Sequence, residues 1–101
     1  MYYLYILYSE TSQIYYVGST EDPCKRFEEH NTDPDNTFTS KHRPWLLKAV
    51  FEAGTKRSDA MKMERFIKQQ KSRKLIDKLI YPAFTPNGAL AQLVRVPHVR
   101  D

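Results

Sequence analysis

Three local features hold side chains able to move a proton or grip a phosphate. Arg26 and His30 lie four residues apart, which puts both on one face of any helix that forms there, so a fixed cation and a titratable base sit together. Glu64 follows Met63 and stands four residues after Ala60, at the margin of an apolar helical stripe. A carboxylate there is costly to desolvate unless a cation or metal ion accompanies it. Tyr5 and Tyr16 fall in two neighbouring strand-like runs. Each feature also has a plain structural explanation: a solvated Arg/His pair beside Glu28 and Glu29, an edge carboxylate paired with Lys68, and tyrosines serving as packing with satisfied hydroxyls. None of them alone identifies an enzyme.

The elements that must position these groups follow from pattern. Tyr2 to Tyr8 is an unbroken aromatic and aliphatic run, which predicts a strand covered on both faces and therefore central in its sheet. Ile14 to Gly18 resumes the strand pattern after a polar run without a two-residue glycine turn, giving a hairpin with a looser connection. Asp22 and Pro23 form a helix start, with Asp22 as cap and Pro23 at the first helical position, and the helix should reach about Asn31. Asn31 to Ser40 lacks periodicity and reads as an exposed loop. Trp45 to Glu52 is a third strand closed by Gly54. Ser58 is the expected cap of a second helix reaching about Gln70, with Ala60, Met63 and Ile67 as its apolar stripe, and a third short helix spans Ser72 to Ile80. The expected fold is α+β: a small three-stranded, mainly antiparallel sheet flanked by helices, in the order β-β-α-β-α-α, over residues 1–80. Pro82, Pro86, Asn87, Gly88 and Pro97 break the pattern beyond, so 81–101 reads as an irregular, loosely attached C-terminal tail in which only Ala89 to Val94 can form a short element.

Composition narrows the function. A chain of 101 residues supports one modest core. A single cysteine, Cys24, makes no internal bridge, and no Cys/His spacing suits zinc. The N-terminal apolar run is too short for a membrane span and lacks an export signal's basic start and cleavage site, so a reducing cytoplasm is the expected compartment and no membrane partner is expected. Net charge is +4, yet Met1 to Thr55 carries five Lys/Arg against eight Asp/Glu, whereas Lys56 to Lys78 carries nine against three. A basic excess so concentrated suits a polyanion, because binding releases condensed counterions; a solvated lysine-rich helix explains it equally.

The joint order of the candidate residues resembles the GIY-YIG nuclease superfamily. LYIL (Leu4 to Leu7) stands at the place of its first signature and YVGST (Tyr16 to Thr20) at that of its second. Tyr5 lies eleven residues before Tyr16, Arg26 ten after it and His30 four beyond that, matching the family's separations, and Glu64 in AMKMERFIK matches its helical glutamate. TSKHRPW (Thr39 to Trp45) looks like the segment before the third strand in the small stand-alone members and in the nuclease subunit of structure-selective endonucleases. Tyr3 and Leu4 replace the glycine and isoleucine of the first signature, as is ordinary in the stand-alone branch. The asparagine that larger members carry downstream has one counterpart in sequence, Asn87, and that residue lies in the tail.

The resemblance implies a metal-dependent endonuclease acting on DNA, branched or nicked structures included, with Tyr5, Tyr16, Arg26, His30 and Glu64 as its catalytic set. Glu64 would hold one divalent ion, Mg²⁺ or Mn²⁺, since hard cations take oxygen ligands. Arg26 suits a transition-state phosphate oxygen. Tyr5 would serve as base, with Tyr16 and His30 orienting water or phosphate. A free phenol has a pKa near 10, so Arg26, His30 and the metal are expected to lower it. Lys41, His42 and Arg43 on the loop, with Lys62, Arg65 and Lys68 on the glutamate helix, are expected to track the flanking backbone without reading sequence. No obligate protein partner is evident. Two other classes stay open: a nucleic-acid-binding module of the same fold that does not cut, and a protein-interaction domain with a solvated basic helix.

Overall fold

The computed structural model describes residues 1–34 and 37–97, so Asp35 and Asn36 of the expected loop and the last four residues of the expected tail lie outside it. Strand β1 (Tyr3–Ser9) pairs antiparallel with β2 (Ile14–Thr20) on one side and with β3 (Trp45–Glu52) on the other, and a two-residue strand β4 (Val94–Arg95) adds to β3. The sheet order is β2-β1-β3-β4. The expected α+β class holds, with four strands where three were read. β1 is central, as its unbroken apolar run predicts, and Leu4, Tyr5, Ile6 and Leu7 are each buried.

Alternation along β1 divides the interior into two cores. Leu4 and Ile6 join Val17, Ala49, Phe51, Ala60, Met63, Ile67 and Leu79 on one face, under helices α3 (Arg57–Gln70) and α4 (Arg73–Ile80). Tyr5 and Leu7 join Trp45, Leu47 and Val50 on the other, with Tyr16 and Phe27 packed against them. The register of β1 against β3 shifts between Ile6 and Leu7, leaving Lys48 unpaired as a bulge; this reverses the alternation of β3 and turns Val50 in behind Tyr5.

The helix α1 (Pro23–Thr32) begins as read: Asp22 accepts from the Lys25 amide at 3.1 Å and Pro23 opens the first turn. Two local expectations change. The stretch after α1 contains a one-turn helix, α2 (Thr37–Ser40), held because the Trp45 indole donates to the Thr39 carbonyl at 3.0 Å. Helix α3 starts two residues earlier than the Ser58 cap implies: Lys56 is the cap residue and makes no side-chain cap bond, while Asp59 supplies the acidic charge favoured in a first turn. The apolar stripe Ala60, Met63 and Ile67 is buried as expected. Lys71 ends α3 in a left-handed conformation, and Ser72 caps α4 by accepting the Leu75 amide.

Residues 81–97 are irregular but packed. Leu90 and Leu93 are buried in the α3/α4 core. The Arg95 guanidinium donates to the carbonyls of Leu79, Tyr81 and Phe84 and lies 4.7 Å from the Phe51 ring centroid. One cation thus satisfies the carbonyls left open at the end of α4 and pins the segment to the sheet.

Candidate active site

The site is built on the edge strand β2 and its neighbour. Tyr5 pairs with Gly18 across the β1–β2 ladder, and its ring lies over that glycine. A Cβ on residue 18 would come within 2.6 Å of the Tyr5 Cζ, so close approach, rather than backbone conformation, is what demands glycine here. The Tyr5 hydroxyl meets the Nε2 of His30 at 2.8 Å, in the interior, and the Arg26 guanidinium, ion-paired with Glu29 at 3.3 Å, lies near enough to act on that hydroxyl. Tyr16 closes the group, its ring centroid 4.8 Å from that of His30 and 6.3 Å from that of Tyr5. The expected Arg26/His30 face of α1 is therefore the face that packs on the sheet.

Burial sets the protonation states. His30 has no exposed surface, and desolvation, followed by the Arg26 charge, lowers its pKa to about 4 against the opposing pull of Glu29. Its imidazole is neutral at physiological pH, and its Nδ1 has no hydrogen-bond partner among the described residues. Tyr5 departs from expectation. Burial, then the neighbouring Tyr16, raises its hydroxyl well above the ordinary value of 10, and Arg26 pulls it down without prevailing. Arg26 by itself does not make a resting phenolate, because a charge buried in this aromatic cage loses more hydration than Arg26 returns.

Glu64 reaches the cluster around the edge of β2. Its Oε1 accepts from the Ser19 hydroxyl at 2.7 Å and its Oε2 from the Lys68 ammonium at 2.8 Å. Lys68 in turn stands 5.5 Å from the Tyr16 ring centroid, and the Glu64 charge registers on Tyr5. The plain explanation of Glu64, a carboxylate paired with Lys68, is present in the geometry. Ser19, part of the YVGST stretch, was missed by sequence reasoning because a strand serine beside a glycine carries no distinctive pattern. Beside Glu64 opens a cleft of about 460 Å³ lined also by Tyr2, Ser19, Thr20, Glu21, Arg57 and Met61. Carboxylates and hydroxyls are the hard oxygen donors that fit Mg²⁺ or Mn²⁺. Among the described residues no three His, Cys, Asp or Glu side chains converge, so an ion held by Glu64 would complete its shell from water and phosphate.

The six residues expected to track nucleic acid divide. Lys41 is exposed on the turn after α2, and Arg65 shares a surface groove with Glu64 and Lys68. Lys62 is exposed but two residues from Glu64, about 200° around the helix, so it points away. His42 is packed rather than free: it shares a 2.7 Å hydrogen bond with Ser12 and lies against Phe38 and Trp45. Arg43 is a brace. Its guanidinium donates to the carbonyls of His30, Glu29 and Asp33 at the end of α1, where orphan carbonyls and the helix dipole favour a cation. Asn31 assists by exchanging hydrogen bonds with the backbone of Trp45. Asn87 lines a separate cavity with Phe66, Leu75 and Phe84 on the far side of α3, so it does not supply the downstream asparagine of larger family members.

Residues 1–77 match the model of the GIY-YIG catalytic domain. The chain belongs to this family. It is also similar to the structure-specific endonuclease subunit SLX1 of Meyerozyma guilliermondii, with 34% identity over 76 residues. That alignment covers 70% of this chain and 26% of the relative, so the chain spans about a quarter of that protein. Membership accounts for the order in which the sheet, α1 and α3 supply these side chains.

Proposed function

We propose that this chain is a metal-dependent endonuclease that hydrolyses DNA phosphodiester bonds, with branched or nicked DNA as the favoured class, in a site formed by Tyr5, Tyr16, Arg26, His30 and Glu64. The observation that carries the reading is the buried Tyr5 hydroxyl, held by His30 at 2.8 Å and reached by Arg26, one strand away from the Glu64 carboxylate. The family relationship and the structure-specific relative support the substrate class. No helix among the described residues is long and apolar enough to cross a membrane, and the cytoplasm remains the compartment we expect.

Glu64 would hold one Mg²⁺ or Mn²⁺, which when bound neutralises charge on the scissile phosphate and the leaving 3′ oxygen. Lys68 is ion-paired with one of the Glu64 carboxylate oxygens at 2.8 Å. Arg26 binds a non-bridging phosphate oxygen in the transition state. Tyr5 works as a neutral relay. It takes a proton from the attacking water as its own passes to Nε2 of neutral His30, the water oxygen bonds to phosphorus, and the 3′ oxygen departs. No free phenolate forms, which suits a hydroxyl whose ionisation is opposed by burial. Approach of the anionic phosphate raises the basicity of His30.

Nicked, branched and single-stranded DNA incubated with Mn²⁺ tests the reading, beside Arg26→Ala and Glu64→Ala. The wild type should cut a structured substrate and both variants should lose cutting while still binding. Cleavage retained by both variants contradicts the site; binding without any cleavage by the wild type selects the non-cutting module. His30 must be neutral to accept a proton and is so down to about pH 4, so kcat/KM should show no inflection near pH 6.5.

A further inference from the structure

Phe38 breaks the burial pattern of its face. It is 51% exposed, and among the large apolar side chains exposed in the described residues it is the one whose ring lies against Tyr16, at 6.2 Å between centroids. Its other neighbour is the His42 ring at 4.9 Å. Neither ring is held loosely. The turn carrying Phe38 is pinned by the Trp45 indole on the Thr39 carbonyl, by the Lys41 amide on the Phe38 carbonyl and by the His42 amide on the Thr39 carbonyl. His42 is itself fixed by Ser12. The chain thus keeps half of an aromatic side chain exposed to solvent, on a braced turn, against Tyr16 of the candidate cluster, with exposed Lys41 beside it.

An open aromatic face of this kind is complementary to another flat aromatic system. Beside a site for phosphodiesters that system is a nucleobase. Bases in a continuous duplex are stacked on both sides and present no face, whereas an unpaired base stacks readily on an aromatic side chain, with little dependence on its identity. We propose that Phe38, backed by His42, is a stacking platform for an unpaired base next to the scissile phosphate, so that the site prefers DNA with a flap, gap or branch over continuous duplex. This inference rests on the nuclease reading for its ligand but is tested through binding alone.

The test uses a flapped DNA carrying 2-aminopurine at the unpaired position, the same flap with an abasic site there, and a continuous duplex, with all metal chelated so that nothing is cut. Affinity and 2-aminopurine quenching are measured for the wild type, Phe38→Leu, which keeps apolar bulk without a π face, and Phe38→Trp. Phe38→Leu should weaken binding of the flap roughly tenfold and abolish the quench. It should leave the abasic flap and the duplex unmoved, and Phe38→Trp should retain both signals. The proposal is overturned if Phe38→Leu binds the flap as the wild type does, or weakens all three DNAs alike. Adding Mn²⁺ afterwards separates the two claims: quenching without any cutting refutes the nuclease and leaves the platform.

Discussion

The two faces of strand β1 use equal burial for different ends. Leu4 and Ile6 have no exposed surface and meet aliphatic neighbours from α3 and α4. Tyr5 is as deeply buried, yet its hydroxyl is engaged by His30 and Arg26 and its ring occupies the space Gly18 leaves open. One face supplies hydrophobic stabilisation. The other holds a neutral imidazole and a suppressed phenol in states that water would not impose, and relies on the first to keep them there. Depth of burial therefore does not separate core from chemistry in this domain; what separates them is polar atoms buried among aromatic rings.

If that division is sound, substitutions on the two faces should fail in different ways. Arg26→Ala should lower kcat by about 10²–10³, as loss of a transition-state donor does, with its thermal midpoint within about 2 °C of wild type; single-turnover cleavage and a melt measure both. Leu79→Ala, buried on the other face, should cost about 3 kcal/mol in urea unfolding and leave activity per folded molecule unchanged. An activity loss in that variant beyond its unfolded fraction would dissolve the distinction.

Acid should expose the chemical face selectively. Folded His30 releases its proton at about pH 4, whereas an unfolded histidine does so near 6.5. Between those values the unfolded chain binds more protons, so stability falls as pH drops from 6.5 to 4, by at most about 3 kcal/mol, and this contribution falls no further below. His30→Gln should lack that component, which urea titrations at pH 7, 5.5 and 4.5 resolve. The smallest effect belongs to the brace. Arg43→Lys keeps the charge but not the fork that reaches three carbonyls, so cleavage should fall about tenfold and stability by about 1 kcal/mol. An Arg43→Lys variant that cuts normally but binds DNA more weakly would return Arg43 to the phosphate-tracking role.

Periodicity carried most of the framework. The central strand, the Asp22–Pro23 start and the Ala60, Met63 and Ile67 stripe were legible because each follows from one local rule. The bulge at Lys48 was not, since it arises from register between strands. Nor was the docking of 81–97: Leu90 and Leu93 are too few for a period, and Arg95 finds its carbonyls only after the chain has turned back. At the site, the spacing of Tyr5, Tyr16, Arg26, His30 and Glu64 located the cluster, whereas the raised Tyr5 hydroxyl and the bracing role of Arg43 depend on burial and partners that sequence does not display.

A crystal soaked with manganese and a short phosphodiester tests the central claim most directly. One anomalous peak should appear against the Glu64 carboxylate, with Lys68 displaced and the phosphate bound to Arg26 within reach of the Tyr5 hydroxyl. A peak held by other residues, or a phosphate bound away from Tyr5 while Glu64 keeps its bonds to Ser19 and Lys68, would contradict it.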